Sequence, residues 1–535
     1  MGEYNGNLTQ RLRASTTGLS DKLLGTRRAT MDTIDPNASA VSPRQPIDLR
    51  DDGAVTEVLD LASKVGSVLL DAGTGAVDTA QQVQFVASVF GVDDVDVDVT
   101  YSTIWASAHR GSSLPPVNAM RTVRYRSLDF TRLAQVDRLV RRIRNHAIEP
   151  DEAHAVIDLI TAAPHPYRRW IATLAWATMA AAISMLLGGG VLMAAVAFVT
   201  TAVIDRVNRL LNRVGTPIFF QQLAGGFIAV IPAAVVYRIA ESMGHYVSPS
   251  QVIAAGITVL LSGLSLVGSV QDAITGAPIT GVARFFELII MTGGIIAGVA
   301  IALRVIAASG ITLPTISTST SAEFSDTTVK VIAGGVAAAA FALASYAEGR
   351  ALAISFVGAA FGVLVVVSIE SASGGPVVAA GVGAAVIGLG GGLLARRALT
   401  PPQVVAVAAI TPLLPGFAIY RGLYGFLNDQ TVDGISGLVA ATATACALAA
   451  GVTLGEFLAR TLRRPRIPAR PAQVVRLSAK SLMPKRAPVQ IYSHYTTVDP
   501  SAPTMPMKMR SPNRGPRSSS HGPTAGQKSS AERIE

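Results

Sequence analysis

The sequence contains little charge and almost no cysteine. Only 15% of its 535 residues are charged, half are hydrophobic, and the mean hydropathy is +0.43. Soluble enzymes of this size rarely have such a composition. The single cysteine, Cys446, excludes an intramolecular disulfide and a cysteine-based metal site, and its small neighbours predict a buried helix residue. The composition predicts a polytopic membrane protein with polar ends.

Motifs typical of several other function classes are missing. The sequence has no GxxxxGK[ST] phosphate-binding loop, so ATP-driven transport by this chain is unsupported. The first residues, MGEYNGNLTQRLRAST, have no apolar core of the kind that a cleaved secretory signal needs. No arrangement of nucleophile, base and acid indicates an enzyme, and no cofactor is predicted.

Charge is concentrated in short stretches. The net charge of +10 arises mainly at the borders of apolar runs and in a Pro- and Ser-rich tail, which indicates lipid headgroups rather than nucleic acid. A run of four carboxylates could suggest calcium: Asp93, Asp94, Asp96 and Asp98. The run lacks the central glycine and terminal glutamate of an EF-hand loop. Its period of two predicts a solvated strand face, and no metal site is predicted.

Ten apolar segments are predicted to cross a bilayer, whose core needs roughly twenty helical residues, or fewer where a helix is shielded by protein. They are Trp170–Leu187, Val191–Ile204, Gln222–Ile239, Gln251–Val267, Gly281–Leu303, Val329–Ser345, Ala351–Ile369, Val377–Leu394, Gln403–Ile419 and Gly434–Phe457. Small-residue pairs at helical spacing predict close helix packing: Gly294 with Gly298, Gly358 with Gly362, and Gly388 with Gly392.

Basic residues in the short loops predict the orientation, because Lys and Arg stay on the cytoplasmic side. They precede the first span and follow the second, eighth and tenth, at Arg168, Arg169, Arg206, Arg209, Arg213, Arg396, Arg397, Arg460, Arg463 and Arg464. Arg238, Arg304 and Arg421 go against this pattern without reversing it. The sequence predicts a multi-pass plasma-membrane protein with both termini cytoplasmic.

The chain divides into five predicted regions. Residues 1–45 form a disordered leader, and residues 46–165 a cytosolic α+β domain. Residues 166–305 and 306–464 form two membrane units of five helices each. Residues 465–535 form a disordered, basic, Pro- and Ser-rich tail. Within the cytosolic domain, two amphipathic helices precede the alternating strand Asp94–Tyr101, and two further helices lead to the membrane.

One cluster of charge interrupts the apolar region between the fourth and fifth spans. Asp272 lies just past the fourth span, and Arg284 and Glu287 share a helix face near the start of the fifth. Charges at membrane depth are costly unless they are paired or hydrated, so these three are candidates for proton coupling. An interfacial pair of Arg284 with Glu287, without a transport role, is the alternative.

A second cluster precedes the tenth span and supplies candidates for substrate binding. Its members are Pro415, Gly416, Tyr420, Arg421, Asn428 and Asp429. Pro412 and Pro415 interrupt a helix and free backbone groups that transporters use to hold substrate. An extracellular turn with interfacial aromatic and basic anchors is the alternative.

The two clusters predict an inverted repeat of five plus five helices. Each contains a Gly-marked helix end, a polar loop with Asp and a Gly-led helix, before the fifth and the tenth span respectively. Such repeats place binding between the halves near the midplane. A competing match aligns IPAAVVYR at Ile231–Arg238 with LPGFAIYR at Leu414–Arg421, which pairs helices of the same orientation.

At several long motifs the sequence resembles the threonine/serine exporter family of bacterial inner-membrane carriers. The motifs include LLDAGTGAVDT, TPIFFQQLAGGFIAVIPA, QDAITGAPITGVARFFE, ITPLLPGFAIYRGLYGFLNDQT and GVTLGE. The resemblance spans residues from Pro46 to about Pro465. It implies a cytosolic amino-terminal domain, ten helices in two units, and proton-driven export of L-threonine and L-serine.

Under this hypothesis Tyr420, Arg421 and Asn428 are candidates for binding the substrate carboxylate and hydroxyl, while Asp272 or Glu287 carries the proton. Replacing Glu287 by Gln is then expected to abolish proton-coupled efflux. A membrane-anchored enzyme or sensor, and the same carrier fold with another small metabolite, are the alternative functions. Whether copies of the chain associate stays open.

Overall fold

The computed structural model describes residues 47–463 except 112, 124–127, 146–147, 245–248, 261–262, 311–325, 399 and 428–429. The predicted leader and the predicted tail lie outside these residues. The described chain begins with four helices and three strands. They are α1 (Asp52–Asp71), α2 (Ala76–Val89), β1 (Val95–Thr100), β2 (Thr103–Ala108), β3 (Val117–Thr122), α3 (Phe130–Arg144) and α4 (Pro150–Ala162).

The three strands form one antiparallel sheet in the order β1-β2-β3. The alternating sequence of β1 explains its position, since Val95 and Val99 are buried while Asp96 and Asp98 point to solvent. Helix α1 packs its apolar face on β2 and β3, and α2 packs on β1. The side chain of Asp51 accepts the first amides of α1, which fixes where that helix begins.

Twelve further α-helices follow in the described part of the chain. They are α5 (Arg169–Leu186), α6 (Val191–Arg213), α7 (Ile218–Ser242), α8 (Pro249–Leu260), α9 (Gly263–Thr275), α10 (Pro278–Ala308), α11 (Thr327–Ala344), α12 (Gly349–Ser371), α13 (Pro376–Ala398), α14 (Pro402–Ile410), α15 (Gly416–Leu427) and α16 (Thr431–Arg463). Eight of these described helices are long and apolar enough to cross a membrane: α5, α6, α7, α10, α11, α12, α13 and α16. The chain is therefore a multi-pass helical membrane protein.

The fourth predicted span is not one straight helix, which corrects that expectation, and the ninth is interrupted where Pro412 and Pro415 predict a break. The fourth consists of α8 and α9, bent by 48°. The ninth consists of the short α14, a 3₁₀ turn at Thr411–Leu413 and then α15. Pro412 and Pro415 explain the second break, because proline has no amide proton and clashes with the preceding helical turn.

Helix packing follows the same order in α5–α10 and in α11–α16. The first helix packs on the second, the second on the third, and the third on the fifth, while the broken fourth element contacts its neighbours on both sides. Glycines make the third–fifth contact close in both halves. A Cβ on Gly298 of α10 would lie 2.0 Å from the Leu223 carbonyl oxygen of α7, and one on Gly388 of α13 would lie 2.6 Å from the Val452 oxygen of α16.

Cys446 is exposed, contrary to the prediction that it is buried. Helix α16 buries Ala441, Ala445 and Ala449, spaced by four residues, and so packs this stripe against its neighbours. Cys446 lies outside the stripe. The sequence pattern of small residues all around this helix gave no sign of which face would be covered.

Candidate functional site

A cavity of about 330 Å³ lies where the connection between α1 and α2 meets helices of both membrane halves. Its volume is within the range of about 300–1,000 Å³ that is usual for small-molecule sites. Its polar lining residues are Asp71, Asp78, Ser265, Gln271, Asp272, Arg284, Ser345, Gln403, Glu456 and Arg460. The rest of the lining is glycine and apolar side chains, so a few polar groups would set what the cavity accepts.

Asp272 and Arg284 form a buried ion pair in this cavity, with side-chain exposures of 1% and 7%. Asp272 lies near the end of α9, and Arg284 lies in the second turn of α10. Gly281 allows the two helices to approach, because a Cβ there would be 2.6 Å from the Ser269 carbonyl oxygen of α9. The tight turn at Gly276, with φ +113°, reverses the chain between the two helices.

Asp272 also caps a helix of the amino-terminal region. Its Oδ1 atom accepts a hydrogen bond from the backbone N–H of Ala76 at 3.0 Å, and Ala76 is the first residue of α2. Helix amino termini favour anions because their first amides have no partner within the helix. Asp272 therefore joins a guanidinium of the membrane region to a helix end of the amino-terminal region.

Glu287 lies in a different environment. It is half-buried, and its Oε2 atom accepts a hydrogen bond from the Tyr101 hydroxyl at 3.0 Å. Tyr101 also donates its backbone N–H to the Thr280 hydroxyl, which in turn donates to the Val99 carbonyl. Glu287 thus belongs to the contact between α10 and the β1–β2 turn, and it is not among the lining residues of the cavity.

The second predicted cluster is divided by the structure. Pro415 and Gly416 are buried at the break before α15, and a Cβ on Gly416 would lie 2.1 Å from the Thr258 hydroxyl of α8, so the two broken elements touch. Arg421 is exposed on α15, where Tyr420 also lies. Among the described side chains, the cavity lining does not include Pro415, Gly416 or Arg421.

Asn428 and Asp429 lie outside the described residues. The second broken element reaches the cavity instead through α14, which contributes Gln403, Val407 and Ile410. The broken element of the second half therefore lines the cavity with α14, the helix before the break. The sequence pattern pointed instead to α15, the helix after it.

Sequence reasoning missed Gln403, Glu456 and Arg460. Glu456 lies inside the predicted tenth span, and Arg460 lies one turn later on α16, where it pairs with Asp78 of α2 at 3.7 Å. A charge within the apolar region is the signal that singled out Asp272 and Glu287, and the same criterion would have found Glu456. Gln403 gave no comparable signal, since an uncharged amide at a span border is common.

The charges of the cavity match those of an α-amino acid. A guanidinium binds a carboxylate through a planar fork of donors, and a carboxylate binds an ammonium group. Arg284 and Asp272 present both partners side by side, and Glu456 adds a second acid to the same lining. In the part of the chain that the structure describes, no group of three or more His, Cys, Asp or Glu could hold a metal ion.

Comparisons with known proteins identify the family of the chain. Residues 60–306 match a family described as "Putative threonine/serine exporter", and residues 330–458 match one described as "Threonine/Serine exporter, ThrE". No solved structure matches the chain.

Two curated relatives cover most of the sequence. The "Threonine/serine exporter" of Corynebacterium glutamicum is 44% identical over 447 residues, which are 82% of this chain and 90% of the relative. The "Probable threonine/serine exporter" of Mycobacterium tuberculosis (strain ATCC 25618 / H37Rv) is 41% identical over 419 residues, 77% of this chain and 78% of the relative. The chain belongs to the threonine/serine exporter family of membrane transporters.

Proposed function

We propose that the protein exports L-threonine and L-serine across the plasma membrane in exchange for protons. The observation that carries the proposal is the buried Asp272–Arg284 pair, which lines a cavity between the two membrane halves. The names of the relatives support the substrates, and the zwitterion-like arrangement of the pair supports an amino acid as the cargo.

Substrate binding replaces the internal ion pair by two external ones. The carboxylate of the amino acid binds Arg284, and its ammonium group binds Asp272. The ammonium group and a proton then compete for the same carboxylate. A proton that arrives from the acidic outer side displaces the amino acid from Asp272, and this competition couples inward proton movement to outward export.

Alternating exposure of this cavity requires two halves that rearrange around it. The common packing order of α5–α10 and α11–α16 supports a five-plus-five inverted repeat, because an odd number of membrane-crossing elements reverses the second half. The basic residues at the start of α5 and at the ends of α6, α13 and α16 support cytoplasmic termini. In this orientation the amino-terminal region is cytosolic and covers the cavity from the inside.

Counterflow in proteoliposomes tests the function. Vesicles loaded with unlabelled threonine or serine are expected to accumulate external labelled threonine and serine transiently, and a pH gradient is expected to drive net movement. Protein-free vesicles give the background. Counterflow with a dicarboxylate or a small peptide but with neither hydroxy amino acid would contradict the substrate assignment and favour the same carrier fold with another cargo.

A further inference from the structure

The loop between α1 and α2, Gly73–Ala76, is bonded to one cavity residue from each membrane half. The backbone N–H of Ala76 donates to Asp272 at 3.0 Å, and the Thr74 hydroxyl donates to Gln403 Oε1 at 3.2 Å. Gln403 Nε2 donates to the Gly73 carbonyl oxygen at 3.3 Å. Asp272 and Gln403 both line the cavity, so the loop occupies polar groups of the candidate site itself.

These bonds repeat the chemistry that the exported amino acid would use. The Ala76 N–H donates a hydrogen bond to the Asp272 carboxylate, which would bind the ammonium group of the substrate. The Thr74 hydroxyl donates one to the neutral side-chain amide of Gln403. We propose that Gly73–Ala76 occupies the place of the substrate, with Thr74 imitating the substrate side chain. Gln403 is then the residue that recognises the substrate hydroxyl. This inference rests on the proposed function, because it assigns a subsite to the same cargo.

Gln403 has the chemistry that hydroxyl recognition requires. Its amide both donates and accepts, as a hydroxyl does, and the other α14 lining residues, Val407 and Ile410, can do neither. When valine replaces threonine in the site, the half-buried amide is left without that partner. Sites built to bond a hydroxyl reject analogues that lack it for this reason.

The glycines of the loop are compatible with a segment that moves out of the site when substrate binds and back when substrate leaves. Gly73 has φ +90°, and a Cβ on Gly75 would lie 3.2 Å from Asp272 Oδ1, so glycine on both sides lets Thr74 reach the site. The amino-terminal region is attached elsewhere as well. The N–H of Phe130 donates to the Ser345 carbonyl at 3.0 Å, and the N–H of Tyr101 donates to the Thr280 hydroxyl at 2.9 Å. The loop exchanges with the substrate while these contacts hold.

Hydroxyl selectivity tests the role of Gln403. Gln403→Leu is expected to lower the ratio of threonine to valine counterflow by about tenfold, the factor that corresponds to one lost hydrogen bond of ordinary strength. Gln221→Leu is the matched control, since the Gln221 amide bonds the Thr216 carbonyl and does not line the cavity. Its ratio should equal that of the wild type. An unchanged ratio in Gln403→Leu would overturn the assignment.

Competition by the loop is tested with two variants at Thr74. Thr74→Val keeps the shape of the side chain but removes its hydroxyl, so the apparent KM for cytosolic threonine should fall by roughly threefold or more. An unchanged or higher KM would contradict competition. In a Cys446→Ala background, the thiol of a Thr74→Cys variant should react faster with a thiol reagent when saturating threonine is present than when valine is present. Equal or slower reaction with threonine would also contradict it.

Different measurements test the proposed function and the proposed role of the loop. Threonine counterflow by the wild-type protein in the same vesicles reports on the proposed function. The selectivity ratio and the labelling rate of residue 74 report on the loop. Normal wild-type export with an unchanged ratio and an unchanged labelling rate would leave the function intact and remove the inference.

Discussion

The first membrane half, α5–α10, and the second, α11–α16, contain the same order of helices and a broken fourth element, yet they differ in where charge lies. In the first half the charges flank the turn that follows the broken element, with Asp272 near the end of α9 and Arg284 near the start of α10. In the second half Gly416, at the break, packs closely against Thr258 of α8, and the cavity charges Glu456 and Arg460 lie on the unbroken α16.

This difference shows that two halves with the same order of helix packing can contribute different side chains to one site. A buried ion pair is costly to desolvate, and a charge at membrane depth is by default a candidate for function. The first half supplies that pair, and the second half supplies close packing, an amide and a further acid. Changes to the ion pair of the first half should therefore affect transport itself, whereas changes to the cavity side chains of the second half should affect affinity or selectivity.

The largest expected effect is that of Arg284→Ala. Removing one partner of a buried, hydrogen-bonded charge pair costs about 2–5 kcal/mol of binding, so threonine counterflow should fall by at least about thirtyfold. Arg284→Lys keeps the charge but not the planar fork, and it should retain a small part of the activity. Unchanged thermal unfolding in detergent, measured on both variants, would assign the loss to the site. Full counterflow by Arg284→Ala would contradict the assignment.

The next effect concerns folding and should be similar in the two halves. Gly298→Ala and Gly388→Ala each force a methyl group against a backbone oxygen of the facing helix, which should cost roughly 1–3 kcal/mol or more. Gly293→Ala and Gly390→Ala are matched controls on the same helices, because their Cβ atoms would meet nothing within 4 Å. The unfolding midpoint in detergent should fall for the first pair only. Equal midpoints for all four variants would contradict the close packing.

A smaller effect is expected from the remaining carboxylates. Glu456→Gln removes a negative charge from the cavity lining and should raise the KM for threonine about threefold to tenfold, while the pH gradient still drives export. Glu287→Gln keeps an acceptor for the Tyr101 hydroxyl and should change coupling little. If Glu287→Gln alone abolished pH-driven export, as the sequence hypothesis expected, Glu287 would replace Asp272 as the proton carrier.

The smallest effect is expected for Arg421→Ala. Arg421 is exposed on α15 and is not among the residues lining the cavity, so the KM for threonine should stay within about twofold of the wild-type value. Concentration series of counterflow would measure it. A large increase in KM would restore the sequence-based role of Arg421 in binding the substrate carboxylate.

Much of the fold follows from local patterns in the sequence. The alternation of Asp and Val predicts β1, and apolar length predicts eight of the membrane helices, because both patterns reflect one element and its solvent. The bend between α8 and α9 was missed, since no proline marks it. Pro412 and Pro415 signalled the break before α15, but not that Gly416 would be buried against another broken helix.

The site was predictable only where charge in an apolar segment reveals it. Asp272 and Arg284 are exceptional in their surroundings, so sequence alone pointed to them. Their pairing depends on Gly281 and a turn at Gly276, and the Ala76 amide arrives from almost two hundred residues earlier in the chain. Such contacts arise from tertiary packing, and no local spacing encodes them.

The most direct test of proton coupling is Asp272→Asn in proteoliposomes. Asn cannot alternate between charged and protonated forms, but its carbonyl oxygen can still accept from an ammonium group. We predict that the variant exchanges labelled for unlabelled threonine yet fails to accumulate threonine when only a pH gradient is imposed. Accumulation driven by the pH gradient at the wild-type level would contradict the account.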